Sequence, residues 1–218
     1  MPLHGDLARL RRLWRPRVTR KYLASTQEPA LHIGCGGEIK PGWLNVDRYN
    51  AAADTYLDAR NLFPFKDDVF SLIFSEHMLE HLQIDKVRQF LNEILRVLRP
   101  GGACRITCPN LDLYVKNYVE RDEGFFEQVT QGIEHKRRKR PELAWLVRTK
   151  GAAFITGIVK DFHGHRWMYD FETLEACLSE VGFRNIAKRE FQVSERARLA
   201  EMDNPERAFE TLYVEASK

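Results

Sequence analysis

LHIGCGG, from Leu31 to Gly37, sets a short apolar run directly against three glycines, and eight residues later the chain reads Asn45, Val46, Asp47. A buried strand that ends in glycines opens backbone N–H groups to a ligand. A carboxylate that ends the next strand can accept both hydroxyls of a ribose. The pair of features points to a nucleoside-cofactor site. Small glycine turns after strands are common, so the stretches that follow decide the weight of this reading.

Strand-like runs recur at Thr55 to Asp58, Phe70 to Ser75, Ala103 to Cys108, Phe183 to Phe191 and Thr211 to Ala216, with helical patterns between several of them. That alternation predicts an α/β fold with a largely parallel sheet. In order, the chain gives the glycine loop, Asp47, DARNLFPF from Asp58, FSLIFSEHMLEHL from Phe70, and LRVLRPGG at Leu95 to Gly102, a Pro-Gly-Gly turn into a strand. In this order and spacing it resembles the class I S-adenosylmethionine-dependent methyltransferases, specifically the subgroup with a leucine-glutamate-histidine segment after the fourth strand. The resemblance covers Ala30 to Asn110 and, more loosely, Tyr169 to Ala216. It covers neither the first 28 residues nor Leu111 to Met168. It implies a Rossmann-like methyltransferase fold: a mostly parallel seven-stranded sheet with helices on both faces and a helical insertion after the fifth strand. The implied cofactor is S-adenosylmethionine.

The resemblance also assigns roles. Backbone around Gly34, Cys35, Gly36 and Gly37 would admit the methionine and ribose portions, because a Cβ at a tight turn collides or forces an unfavourable dihedral. Asp47 would take the ribose diol and Asp58 the adenine amino group. Ala59 would shape the ring pocket, and Ser75 at the end of the fourth strand would also border the cofactor. Only ten positions separate Gly37 from Asp47, and Pro41-Gly42 interrupts them. No long crossover helix fits there, so a short turn must replace it. A spacing of about 20 residues after the glycines would instead make Asp58 the ribose ligand. We prefer Asp47, and the two roles stay exchangeable at this level.

The densest chemistry lies at Ser75-Glu76-His77-Met78-Leu79-Glu80-His81. In a helix His77 and His81 would share a face, with Glu80 adjacent, a set able to hold one divalent ion. The bare pattern H-x-x-E-H is also the inverted zinc-peptidase signature, but its place after the fourth strand of a cofactor-binding sheet argues against a peptidase. In some O-methyltransferases an E-x-x-E-H segment here holds a metal, and His77 stands where the first glutamate would be. An imidazole there favours zinc, nickel or manganese-type ions over magnesium. A metal-free role for His77 or His81 as base or positioning group is the alternative, as is packing. A second cluster, DFHGHRWMYD from Asp161 to Asp170, suits a flap over the reacting centre. His163 or His165 would complete the site, and Trp167 or Tyr169 would stack on a ring.

At 218 residues and 44% hydrophobic, the chain can bury one substantial core. We divide it into a basic N-terminal helix or tail, 1–28, and a methyltransferase domain, 29–218, with an insertion at about 111–168 that covers the substrate. Leu111, Leu113, Val115, Tyr118 and Val119 suggest one helix of the insertion, and Leu143, Trp145, Leu146 and Val147 another. The net charge of +3 is uneven: residues 1–28 carry +5 and the remainder −2. Leu7, Leu10, Leu13 and Trp14 follow a helical stripe that Pro16 is expected to end. Such a basic helix can lie on an anionic membrane surface or cap the domain. Lys136 to Arg140 form a second basic run. Nothing reads as a membrane span or secretory signal, so a cytoplasmic protein is expected, with a membrane-peripheral one as the alternative. Cys35, Cys104, Cys108 and Cys177 lack paired metal spacing and read as reduced thiols. The expected activity is methylation of oxygen on a small molecule or saccharide intermediate. The alternatives are an RNA or protein methyltransferase and a non-catalytic cofactor-binding partner subunit. Nucleic acid is the less favoured partner, and the sequence is silent on oligomeric state.

Overall fold

The computed structural model describes residues 15–137, 149–158 and 164–218. Seven strands, β1 (Ala30–Ile33), β2 (Leu44–Asp47), β3 (Thr55–Tyr56), β4 (Phe70–Glu76), β5 (Leu98–Pro109), β6 (Arg184–Arg189) and β7 (Thr211–Ser217), form one sheet in the order β3-β2-β1-β4-β5-β7-β6. The first five run parallel, and β7 runs antiparallel to both β5 and β6. The described helices are α1 (Pro16–Ala24), α2 (Ile84–Val97), α3 (Leu111–Glu120), α4 (Glu123–Arg137), α5 (Lys150–Ile158), α6 (Phe171–Val181) and α7 (Ala197–Ala200).

Strand alternation sorts the side chains onto two faces. Leu31, Ile33, Ile73, Cys104, Ile106, Leu212 and Val214 point into the larger core. That core is closed by α2, which buries Val87, Phe90, Leu91, Ile94 and Val97 at helical spacing, and by α6. Asp170 caps α6 by accepting the Thr173 N–H at 2.8 Å, and Gly182 ends it at φ 112°. On the other face Ala30, Trp43, Leu72 and Phe74 pack with Leu199 of α7 and Met202. All four cysteines are free thiols; burial pushes Cys104 up to about 12.

The short turn required between β1 and β2 is built around Asn45. Its side-chain amide donates to the carbonyls of Lys40 and Trp43 and to Asp54, while its oxygen accepts the Lys40 N–H at 2.9 Å. The same oxygen accepts from His32 Nδ1 at 3.1 Å. Burial, the leading cause, lowers His32 from the ordinary 6.5 to about 4. Below about 6.5 the unfolded chain therefore takes up a proton that the folded chain refuses, so stability falls as the pH drops towards 4. The expected loss is about 3 kcal/mol by pH 4 from this group. Urea unfolding near pH 7 and pH 4.5 should show a steeper acid decline in the wild type than in His32→Gln; equal declines would refute it.

Pro16 stands at the first turn of α1 and so begins a helix. Residues 1–14, with the stripe of Leu7 to Trp14, lie outside the described residues. The helix that follows is docked: Tyr22 Oη donates to the Ala30 or Gly42 carbonyl and accepts the Ala30 N–H at 2.9 Å. The described part of the insertion has its own core of Tyr114, Phe125, Phe126, Val129 and Ala153. The expected helix at Leu111 is present as α3, but Tyr114 is the residue it buries; Val115 and Val119 are exposed, and Tyr118 is partly exposed with its ring against Phe126 and Phe154. Leu143 to Val147 and His163 lie outside the described residues. So does most of the run Lys136 to Arg140. Among the described residues, no helix is long and apolar enough to cross a membrane.

Candidate active site

The glycine loop leaves β1 with Gly34 at φ 70° and Gly36 at φ 51°, a region that side chains rarely adopt. At Gly34 space matters as well, because an added Cβ would sit 2.7 Å from the Met78 side chain. Gly37 needs neither allowance, since open space surrounds it and its φ is not positive. The loop is tied to β2 by the Gly34 and Cys35 N–H groups, both donating to the Val46 carbonyl. Asp47 accepts three backbone N–H groups, from Gly36 at 3.0 Å, Tyr49 at 2.5 Å and Asn50 at 2.7 Å. A carboxylate offers about four lone-pair positions, so Oδ2 keeps one for a hydroxyl. Asp58 is more committed: Arg60 grips it through Nε at 2.9 Å and Nη2 at 2.7 Å, and Arg48 approaches to 3.3 Å. The Arg60 bonds hold its carboxyl below the usual carboxylate range.

Asp47, Asp58, Ala59 and Gly34 line a cleft of about 580 Å³ beyond the carboxyl ends of β1 to β4. Cys35 and Ser75 are not on its wall. Both are buried; Cys35 turns its thiol toward the Gly36 carbonyl, and burial raises it to about 12. His77, Met78, His81 and Arg166 line the same cleft.

The segment after β4 is not the helix that the histidine spacing suggested. His77 breaks the strand at φ 44°, and a single 3-10 turn, Leu79–His81, follows. The two histidines therefore diverge. Arg207 can only donate, so at 3.0 Å it makes His77 Nδ1 an acceptor. Thr211 Oγ1 gives its proton to the Arg207 carbonyl, so His77 Nε2 carries the hydrogen and donates to Thr211 at 2.8 Å. Both ring nitrogens are engaged in holding β7 and its preceding loop. Its expected roles as base and metal ligand do not suit that wiring.

His81 turns instead toward His165, with ring centroids 4.9 Å apart and planes at 72°. Beneath them Glu80 is fully buried, and neither carboxylate oxygen has a hydrogen-bond partner. His77 Nδ1 lies 3.4 Å from it and His165 Nε2 3.9 Å. Burial raises the Glu80 carboxyl above its usual range, with His81 and His165 pulling the other way. Ligand atoms of Glu80, His81 and His165 all lie within 4.8 Å of one another. The flap is fastened to this turn through the Glu80 carbonyl, which accepts the N–H groups of Arg166 at 2.7 Å and Trp167 at 3.3 Å.

The comparisons with known proteins fall on this frame. The family model for a methyltransferase domain matches residues 31–106, which run from β1 through the 3-10 turn into β5. A demethylmenaquinone methyltransferase of Clavibacter sepedonicus is 26% identical over 204 residues, covering 81% of this chain and 74% of the relative. This chain is a class I S-adenosylmethionine-dependent methyltransferase. The fold of the methyltransferase is shared with a SAM-dependent methyltransferase from Archaeoglobus fulgidus, at a TM-score of 0.51 and 17% identity, covering 93% of this chain and 92% of that one.

In the methyltransferase, Asp47, Asp58, Ala59 and Gly34 are brought to one cleft as the sequence suggested, and His81 joins them. Tyr169 does not reach a ligand, because it is wholly buried in the larger core. Trp167 is 45% exposed and lines a second groove of about 320 Å³ with Leu111, His165, Arg166 and Met168. Sequence reasoning put His163 forward, with His165 as the alternative; His163 lies outside the described residues, and His165 is the one seen beside Glu80. That reasoning gave no role to Arg207 or Thr211, whose link to His77 spans more than 100 residues.

Proposed function

We propose that the methyltransferase transfers the cofactor's methyl group to a hydroxyl of a small molecule or saccharide-type acceptor, with the His81–His165 pair above Glu80 handling the proton. The carrying observation is that His81 borders the cofactor cleft while His165 borders the adjoining groove, with their rings in contact. In the transfer the sulfur–methyl bond breaks as the oxygen–methyl bond forms, and the hydroxyl proton passes to an imidazole nitrogen. The sulfonium already makes the methyl reactive, so holding the oxygen in line can supply about 7–11 kcal/mol. A positioned base adds about 10²–10⁴-fold. Exposed Trp167 gives the groove a flat wall for a ring.

A divalent ion is a second reading, favoured by the donor set: one carboxylate without hydrogen bonds and two imidazoles within reach of one point. Glu80, His81 and His165 would hold it, and His77 would not. A bound ion of the zinc or manganese type would lower the pKa of the acceptor hydroxyl.

Calorimetry with S-adenosylmethionine should show binding that Asp47→Ala weakens by about 1.5–3 kcal/mol, the worth of a hydrogen bond to a charged group. Turnover should then be sought on catechols, sugars and a demethylmenaquinone-type acceptor, the last because of the relative's name. Oxygen-linked methyl products support the reading, and carbon methylation alone would replace it. Titrating chelator-treated protein with zinc or manganese separates the two versions; activity indifferent to chelator, without metal uptake, leaves the imidazole base.

A further inference from the structure

We propose that the groove beside the cofactor cleft takes an acceptor bearing an anionic group, a carboxylate or a phosphate, and that Arg166 selects it. The inference rests on the methyltransferase reading and adds the charge class of the acceptor. Arg166 is the single residue common to the walls of the cleft and the groove. The groove is lined otherwise by Leu111, His165, Trp167 and Met168, with no acidic side chain. On the cleft side both acids are already engaged, Asp47 by three N–H groups and Asp58 by Arg60 and Arg48. Among the described residues no carboxylate forms an ion pair with the Arg166 guanidinium, so none of them offsets its charge toward either space.

Its placement is nevertheless fixed. The Arg166 N–H donates to the Glu80 carbonyl at 2.7 Å, and three residues on, the Tyr169 carbonyl accepts the Leu111 N–H at 3.0 Å. The backbone is held at both ends of this short stretch while the side chain stays exposed. A guanidinium presents a planar fork that matches the paired oxygens of a carboxylate or phosphate. Trp167 next to it supplies an apolar plane for the body of the same molecule. An acceptor gripped by its anionic end at Arg166 would sit against His165, close to the imidazole pair.

The test uses the full chain saturated with S-adenosylhomocysteine and three matched probes: 4-hydroxybenzoate, 4-hydroxyphenyl phosphate and neutral 4-hydroxybenzyl alcohol. Ligand-observed NMR titration is expected to show at least one anion binding about tenfold or more tighter than the alcohol, the scale of one charge-assisted contact. The preferred anion distinguishes carboxylate from phosphate recognition. Arg166→Gln should abolish the preference and Arg166→Lys restore part of it, while affinity for S-adenosylhomocysteine stays within about twofold. Equal binding of the three probes, or binding of none, overturns the proposal. So does a weakened cofactor product in Arg166→Gln, which would assign the guanidinium to the cofactor's own carboxylate. Failure of the wild type to bind S-adenosylhomocysteine at all would instead remove the methyltransferase reading beneath it.

Discussion

Replacing Arg105 by methionine is expected to lower the unfolding free energy by about 3–5 kcal/mol, the cost of stripping one member from a buried charge cluster. Arg105 is wholly buried on the sheet face opposite the larger core, directly across from Glu215 in the β5–β7 pairing. Its five N–H donors all find acceptors: Asp203 at 2.8 and 2.6 Å, Glu215 at 2.8 Å, and the carbonyls of Val193 and Glu190. The Tyr213 ring lies 4.8 Å from the guanidinium. Burial pushes the Asp203 carboxyl up, and the Arg105 bonds oppose that push. Without the arginine, Asp203 would keep only the Gln192 N–H and Glu215 only the half-buried Arg189, at 3.2 Å. For a domain of this size the melting temperature should fall by roughly 6–20 °C. A triple variant, Arg105→Met with Asp203→Leu and Glu215→Leu, should recover much of the loss, because apolar replacement of a whole buried cluster is often neutral. A single-variant loss under about 1 kcal/mol in urea unfolding would show that the cluster is not what closes this face.

Glu80→Gln should separate activity from stability. Deleting a buried charge that lacks hydrogen bonds removes a desolvation cost, so the variant is expected to be at least as stable as the wild type. Turnover should nevertheless fall by about 10²–10⁴-fold, since the amide cannot stabilise an imidazolium at His81 or His165 and is a poor metal ligand. Affinity for S-adenosylmethionine should stay within about twofold, because Glu80 is not on the cleft wall. Stopped-assay kinetics, calorimetry and thermal melting on one preparation give all three values. A stable variant with near wild-type turnover would make Glu80 a packing residue; a variant that loses stability and activity together would make it a structural one.

The sheet, and the cleft that gathers Gly34, Asp47 and Asp58, were legible because they depend on local order: apolar runs, glycines at their ends, and acids at or just beyond the ends of β2 and β3. The replacement of a crossover helix by a turn followed from counting residues. Asn45, which holds that turn, gave no signal because most of its partners are main-chain groups. The histidine geometry was misjudged for a different reason. Spacing of four positions puts His77 and His81 on one face only if the segment is helical, and the φ of 44° at His77 breaks that premise. Arg105 lies in an alternating strand and looks like a surface residue. Its acids are 98 and 110 positions away, and only the folded topology joins them. In α3 the apolar pattern was real, but the aromatic cluster of α4 buried Tyr114 fully, left Tyr118 half-exposed at its edge against Phe126, and left Val115 outside.

At positions 166 and 167 the tether between Glu80 and the flap is made of main-chain atoms. Alanine scanning would pass over it, because truncating Arg166 or Trp167 leaves both N–H donors in place. Only a change that removes a donor, such as proline, would cut it. The side chains at 166 and 167 are thereby relieved of any duty in holding the flap to Glu80, so substitutions there read acceptor recognition without loosening that tether.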